Sequence, residues 1–197
     1  MTLVLASASA SRQRMLKAAG VDFSVSAADL NEEALTADLR AEGVDAAGIA
    51  AALAEQKAIA VSRRMPGRVV LGADSVVALG DELISKSRDL AELKILLRKM
   101  AGKSHQLISA AALARDGAAF WRHVGVARLT MRLFTEAFLD AYLAAEGQAV
   151  LSSVGGYHYE SWGVQLFEQV TGDSFTIQGL PLLPLLSELR VLGLLEA

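Results

Sequence analysis

The sequence predicts a mixed, helix-rich α/β fold in a single domain over residues 1–197. Three observations predict it. Apolar residues make up 53% of the chain, much of it Ala and Leu, which is enough for a substantial core. Short β-branched runs such as residues 69–71 alternate with segments whose apolar residues recur at helical spacing. No internal repeat or linker divides the chain.

Residues 2–6 read as a buried strand, followed by a small-residue loop from Ser7 through Ser9 to Ser11. Residues 12–19 look helical, with Met15, Leu16 and Ala19 on one face and Gly20 as the stop. A loop of this kind presents amide N–H groups and hydroxyls at the positive end of a helix, a natural anion site. Arg12 and Arg14 oppose the helix dipole in the first turn, so they cost stability unless an anion sits nearby. The plainer alternative is serine capping with two surface arginines. The loop is not a Walker loop, since it has no glycine and no Gly-Lys-Ser/Thr ending.

Residues 21–28 suggest a second strand, and residues 29–33 a polar, acidic bend containing Asn31 and Glu32. The weakly patterned stretch to Ala47 suits a helix with a loop at Gly43. Residues 49–64 form an Ala-rich helix in which Lys57 is the cation on a stripe shared with Leu53, Ala60 and Val61. Snorkelling to solvent is the ordinary explanation for such a lysine. Residues 65–67 end the helix.

The centre of the chain is residues 69–86. A short buried strand ends at Leu71, Gly72 interrupts it, and Asp74 follows between apolar neighbours. A carboxylate there must be charge-paired, metal-bound or shifted in pKa. Gly80-Asp81 reads as a turn, which places Lys86 on the returning segment as a nearby base.

Residues 89–100 are amphipathic, with Asp89 and Glu92 spaced as a capping box and Gly102 as the stop. Residues 106–114 and 118–134 contain two strand-like runs around an Asp116-Gly117 hairpin turn. Thr135 caps a helix to Ala145. Residues 151–162, rich in Ser, Gly and Tyr, read as a functional loop. Residues 163–170 look like a strand carrying Gln165, Gly172-Asp173 a turn, and residues 175–177 a short extended piece. Gly179-Leu180-Pro181 opens a last leucine-lined helix.

The net charge of −3 and the absence of basic runs argue against a nucleic-acid polymer as partner. With no cysteine there is no disulfide framework and no thiolate zinc site. The three histidines are far apart, which disfavours a His-rich metal site. No segment is long and apolar enough to span a membrane, and the start lacks a basic n-region, so a cytoplasmic location is expected.

A Ser/Arg loop, a lysine on an apolar stripe and a buried acid with a lysine nearby suit a polyphosphate ester with a divalent ion. These stretches resemble the Maf family of nucleotide pyrophosphatases. Leu5-Ala-Ser-Ala-Ser-Ala-Ser-Arg12 is similar to its opening Ser-x-Ser-x-x-Arg loop, and Leu53-Ala-Glu-Gln-Lys57-Ala58 to its Leu-Ala-x-x-Lys-Ala helix. Leu71-Gly-Ala-Asp-Ser-Val76 resembles Gly-Ala-Asp-Thr-Val, and Gly102-Lys-Ser-His105 resembles Ser-Gly-Arg-x-His. Gly155-Gly-Tyr157, Gly163-Val-Gln165 and Gly179-Leu-Pro-Leu182 match C-terminal signatures of that family.

The resemblance implies an elongated mixed sheet with flanking helices, two lobes around a central cleft, as in inosine-triphosphatase-like enzymes. It implies hydrolysis of a nucleoside triphosphate to monophosphate and pyrophosphate, a house-cleaning role, a divalent cation (Mg²⁺ or Mn²⁺) and a homodimer. Asp74 is then the proton acceptor for the attacking water. Ser7, Ser9, Arg12, Lys57 and Lys86 bind phosphates, and Glu32 joins Asp74 at the metal. Ser11, Ser75 and Gln165 fall at positions linked to base choice, with 7-methyl-GTP and dTTP/UTP as the two substrate groups. Ala10 and Ser87 stand where the family commonly has proline, and Asn31 where it has Asp. Those departures motivate the alternative of a catalytically weak nucleotide-binding protein linked to division arrest.

Overall fold

The structure, a computed structural model, describes residues 2–196. Strand β1 (Leu3–Leu5) leads through a short loop to helix α1 (Ala10–Ala18). The helix starts earlier than expected because Ser9, not Ser11, caps it, its Oγ accepting from Arg12 N–H at 3.4 Å. Strand β2 (Phe23–Val25) is shorter than residues 21–28, since only these three pair with β1. The acidic bend becomes the first turn of α2 (Glu32–Ala41), capped by Asn31, whose Oδ1 accepts from Ala34 N–H at 3.1 Å. Helix α3 (Ala46–Arg64) follows, capped by Asp45.

The run at residues 69–71 is not interrupted at Gly72. Strand β3 (Val70–Leu79) continues through Gly72 and Asp74. Gly72 instead marks the contact with α3, where a Cβ would lie 2.0 Å from the carbonyl oxygen of Ala54. Strand β4 (Glu82–Ile84) returns along β3. Helix α4 (Leu90–Met100) is capped by Asp89, but the Glu92 carboxylate takes the N–H of Arg88 at 2.7 Å, so the capping box closes one residue upstream.

Strands β5 (Ser104–Arg115) and β6 (Ala118–Met131) form the hairpin, with positive φ at both Asp116 and Gly117 as its tight turn requires. Thr135 caps α5 (Glu136–Glu146). A 3₁₀ turn (Gly147–Ser152) opens the Ser/Gly/Tyr loop. Gln165 does not lie on a strand. It sits in a second 3₁₀ turn (Trp162–Leu166), held where Arg132 donates to the Gln165 and Leu166 carbonyls; β7 (Phe167–Thr171) begins after it. Residues 175–177 are helical rather than extended, in α6 (Ser174–Ile177), because the Asp173 carboxylate caps them from Thr176 N–H at 2.8 Å. Helix α7 (Leu182–Val191) ends the fold. Among the described residues, no helix is long and apolar enough to cross a membrane.

The seven strands form one mixed sheet in the order β2-β1-β3-β5-β6-β7, with β4 also paired to β3. The chain leaves β1 through α1 to β2, then returns through α2 and α3 to β3 on the other side of β1. The strand order therefore reverses between β1 and β3, the position at which open α/β sheets hold ligands. β1 pairs with β3 only at Val70 and Leu71, and β4 only at Val77 to Leu79. Residues 72–76 are left without a partner strand on that side.

Alternation along β3 and β5 sorts the core. Odd residues Leu71, Ala73, Ala111 and Leu113 pack with α1 and α7 at one end, while Val77 and Leu107 pack with α4 and α5 at the other. Ser75 and Ser109, paired across β3 and β5, lie between these two apolar clusters. Even residues Ile108, Ala110, Ala112 and Ala114 face the alanines of α3. The two odd-face clusters are the two lobes, and the unpaired stretch of β3 runs between them.

Candidate active site

The loop after β1 and the first turn of α1 place Ser7, Ser9 and Arg12 at one rim of this gap. Arg12 is buried, yet no carboxylate forms an ion pair with it among the described residues. Its Nε donates to the Gly179 carbonyl at 2.8 Å, Nη1 to Ser7 Oγ at 3.0 Å, and Nη2 to Ser75 Oγ at 3.0 Å. A guanidinium has five N–H groups, so two remain for another acceptor. Burial pushes its pKa below the ordinary arginine value, opposed by the charges of Asp74 and Glu32. A buried cation with spare donors at a helix N-terminus can receive an anion.

Asp74 is not at an outer edge of the sheet. It lies in mid-β3 opposite Ala110, and it meets Lys57 from α3 because Gly72 lets the helix lie close. Lys57 Nζ is 2.7 Å from Asp74 Oδ1 and 2.9 Å from Glu32 Oε1. Lys57 therefore does not snorkel; it is buried and paired. Of the three fates open to the buried acid, charge pairing is the one observed, and its partner is Lys57 rather than Lys86. The second oxygen of Asp74 forms no hydrogen bond with the described residues.

Lys86 is exposed and joins no ion pair among the described residues. Its backbone placement still matters. Ile84 pairs with Val77 in antiparallel register, so the chain leaves β4 heading along β3 towards the gap, with Lys86 two residues on. Ser7, Ser9 and Arg12 thus stand at one rim, Lys86 leaves from the other, and Asp74 lies between them.

Ser11 and Ser75 belong to the Arg12 neighbourhood. Ser11 Oγ donates to the Gln178 carbonyl at 3.0 Å. Gln165 does not join the cluster: it is exposed, and among the described residues its side chain makes no hydrogen bond, while its main-chain oxygen accepts from Arg132. The loop before it reaches α1 through an Arg14–Glu160 ion pair.

Residue types alone did not point to Ser109 and Gln178, and Gly179 stood out only in the Gly179-Leu-Pro-Leu182 signature; all three support this cluster. Ser109 had a usable signal as the one hydroxyl within the apolar run 107–114. Gln178 and Gly179 act through main-chain oxygens and have no side-chain signal.

Glu32 and Asp74 are the two carboxylates that could hold a divalent ion. Their carboxylates converge on one cation, the Lys57 ammonium. Among the described residues, no cluster of three or more His, Cys, Asp or Glu side chains is present. Two carboxylates that leave further positions to phosphate oxygens and water match the way magnesium is bound. The two acids, Arg12 and Lys57 balance one another in charge, so a polyphosphate needs added positive charge here.

The chain is similar to known proteins over nearly its whole length. The family model described as "Maf-like protein" matches residues 2–192. A 7-methyl-GTP pyrophosphatase of Brucella suis biovar 1 is 50% identical over 188 residues, covering 95% of this chain and 94% of that protein. A nucleoside triphosphate pyrophosphatase of Sphingopyxis alaskensis is 49% identical over 195 residues, covering 98% of each. A 7-methyl-GTP pyrophosphatase of Mesorhizobium japonicum is 48% identical over 194 residues, also covering 98% of each.

Proposed function

Because the chain belongs to the Maf-like protein family, we propose that it hydrolyses a nucleoside triphosphate to the monophosphate and pyrophosphate. It is a nucleoside triphosphate pyrophosphatase, a hydrolase of acid anhydrides. The observation that carries this reading is the gap at residues 72–76, with the buried carboxylate of Asp74 paired to Lys57 and within charge interaction of the buried Arg12.

The triphosphate lies along the gap. Ser7, Ser9 and the two spare N–H groups of Arg12 hold phosphate oxygens, and Lys86 closes in from the opposite rim. Asp74 takes the proton of the attacking water on its second oxygen, while Lys57 fixes the orientation of the first. Pyrophosphate departs with added negative charge, so these cations stabilise the transition state more than the ground state. A divalent ion held by Glu32 and Asp74 would supply further positive charge to the phosphate oxygens.

Ser11, Ser75 and Gln165 are the positions proposed to set base choice. The names of the relatives from Brucella and Mesorhizobium favour 7-methyl-GTP as the substrate, with dTTP and UTP as the second group.

Pyrophosphate release from a panel of canonical and modified triphosphates, with magnesium, tests this. The expected result is pyrophosphate from one group. Orthophosphate, or no release from any triphosphate, overturns it.

A further inference from the structure

Resting on that reading, we infer that Ser109 is a positioning residue, which fixes Arg12 for the phosphates through Ser75. Ser109 is fully buried, with its Oγ 2.8 Å from Ser75 Oγ and 2.8 Å from the Thr176 carbonyl. Ser75 Oγ in turn lies 3.0 Å from Arg12 Nη2.

The direction of this chain follows from donor chemistry. Arginine has no acceptor, so Ser75 must accept from it. The single hydrogen of Ser75 then goes to Ser109 at 2.8 Å rather than to the Gly179 carbonyl at 3.4 Å. The hydrogen of Ser109 goes to Thr176. Each hydroxyl gives its hydrogen away from Arg12 and turns a lone pair towards it, and such chains strengthen bond by bond.

Remove the Ser109 hydroxyl and, among the described residues, the acceptor left for the hydrogen of Ser75 is the Gly179 carbonyl. That carbonyl already receives Arg12 Nε at 2.8 Å. The Ser75 hydroxyl can then turn towards that carbonyl, and the lone pair that it offers Arg12 Nη2 is no longer held in place. Ser109 has no solvent exposure, so water does not replace the missing hydroxyl.

The test is calorimetric binding of inorganic triphosphate, which has no base, to wild type, S109A, S75A, S75A/S109A, R12A and R12A/S109A, with Tm for each. S109A is expected to weaken binding about 5- to 10-fold, the loss of one buried hydrogen bond. Because Ser109 acts through Ser75, the double variant binds no more weakly than S75A. In the R12A background, S109A changes nothing. Wild-type affinity for S109A, with or without a lower Tm, overturns the proposal, and so does full additivity with S75A or R12A. Wild type that binds triphosphate yet releases no pyrophosphate from any nucleotide overturns the pyrophosphatase reading alone. Wild type that binds no triphosphate overturns both.

Discussion

The Lys57 ammonium lies 2.7 Å from Asp74 Oδ1, with only 9% and 10% of the two side chains exposed. The pair joins α3 to mid-β3, so it bears on both the stability and the proposed chemistry of the site. In so dry a setting, removing one partner leaves an uncompensated charge.

Lys57→Ala is therefore expected to destabilise the fold by about 3 kcal/mol, read by denaturant unfolding. It also removes a cation from the phosphate site, so KM for the nucleotide should rise about tenfold or more. Destabilisation with an unchanged KM would mean that Lys57 only packs.

Glu32 is half exposed and shares Lys57 with Asp74. Chelation of divalent ions should abolish turnover, and Mg²⁺ or Mn²⁺ should restore it. Glu32→Gln should raise the metal concentration for half-maximal rate by about tenfold or more. Titration of Mn²⁺ by electron paramagnetic resonance gives the same comparison without turnover.

His105 gives a prediction far from this chemistry. It is buried, its Nε2 lies 2.8 Å from the Tyr157 hydroxyl, and its Nδ1 has no partner among the described residues. Burial lowers its pKa from 6.5 to about 4. Between those values the unfolded chain binds the proton and the folded chain does not. Stability is then fully present above pH 6.5 and falls as pH drops towards 4, by up to about 3 kcal/mol. His105→Gln, which cannot titrate, should flatten that part of the pH–stability curve. An unchanged curve would place the acid sensitivity elsewhere.

Much of this site was legible in the sequence because its residues are out of character with their surroundings. Two cations in the first turn of a helix, a lysine on an alanine stripe and an acid among valines each signal a missing partner. That Lys57 is the partner of Asp74 was not legible. The two are 17 positions apart and meet only because Gly72 admits the Ala54 backbone. Lys86 looked nearer along the chain, yet it makes no such pair. Residues 175–177 look strand-like until the Asp173 carboxylate winds them into a helical turn. That turn leads into Gln178 and Gly179, whose carbonyls hold Ser11 and Arg12. Main-chain acceptors of this kind have no residue signature. The switch between β1 and β3 depends on strand order, which local periodicity does not encode.

The most direct measurement is turnover by Asp74→Asn beside its affinity for the same nucleotide. Asparagine keeps the size of the side chain and an oxygen for Lys57 but cannot take a proton from water. Pyrophosphate release should fall about 10²- to 10⁴-fold while nucleotide binding stays near wild type. Hydrolysis by this variant at the wild-type rate would contradict the role of Asp74 as the base.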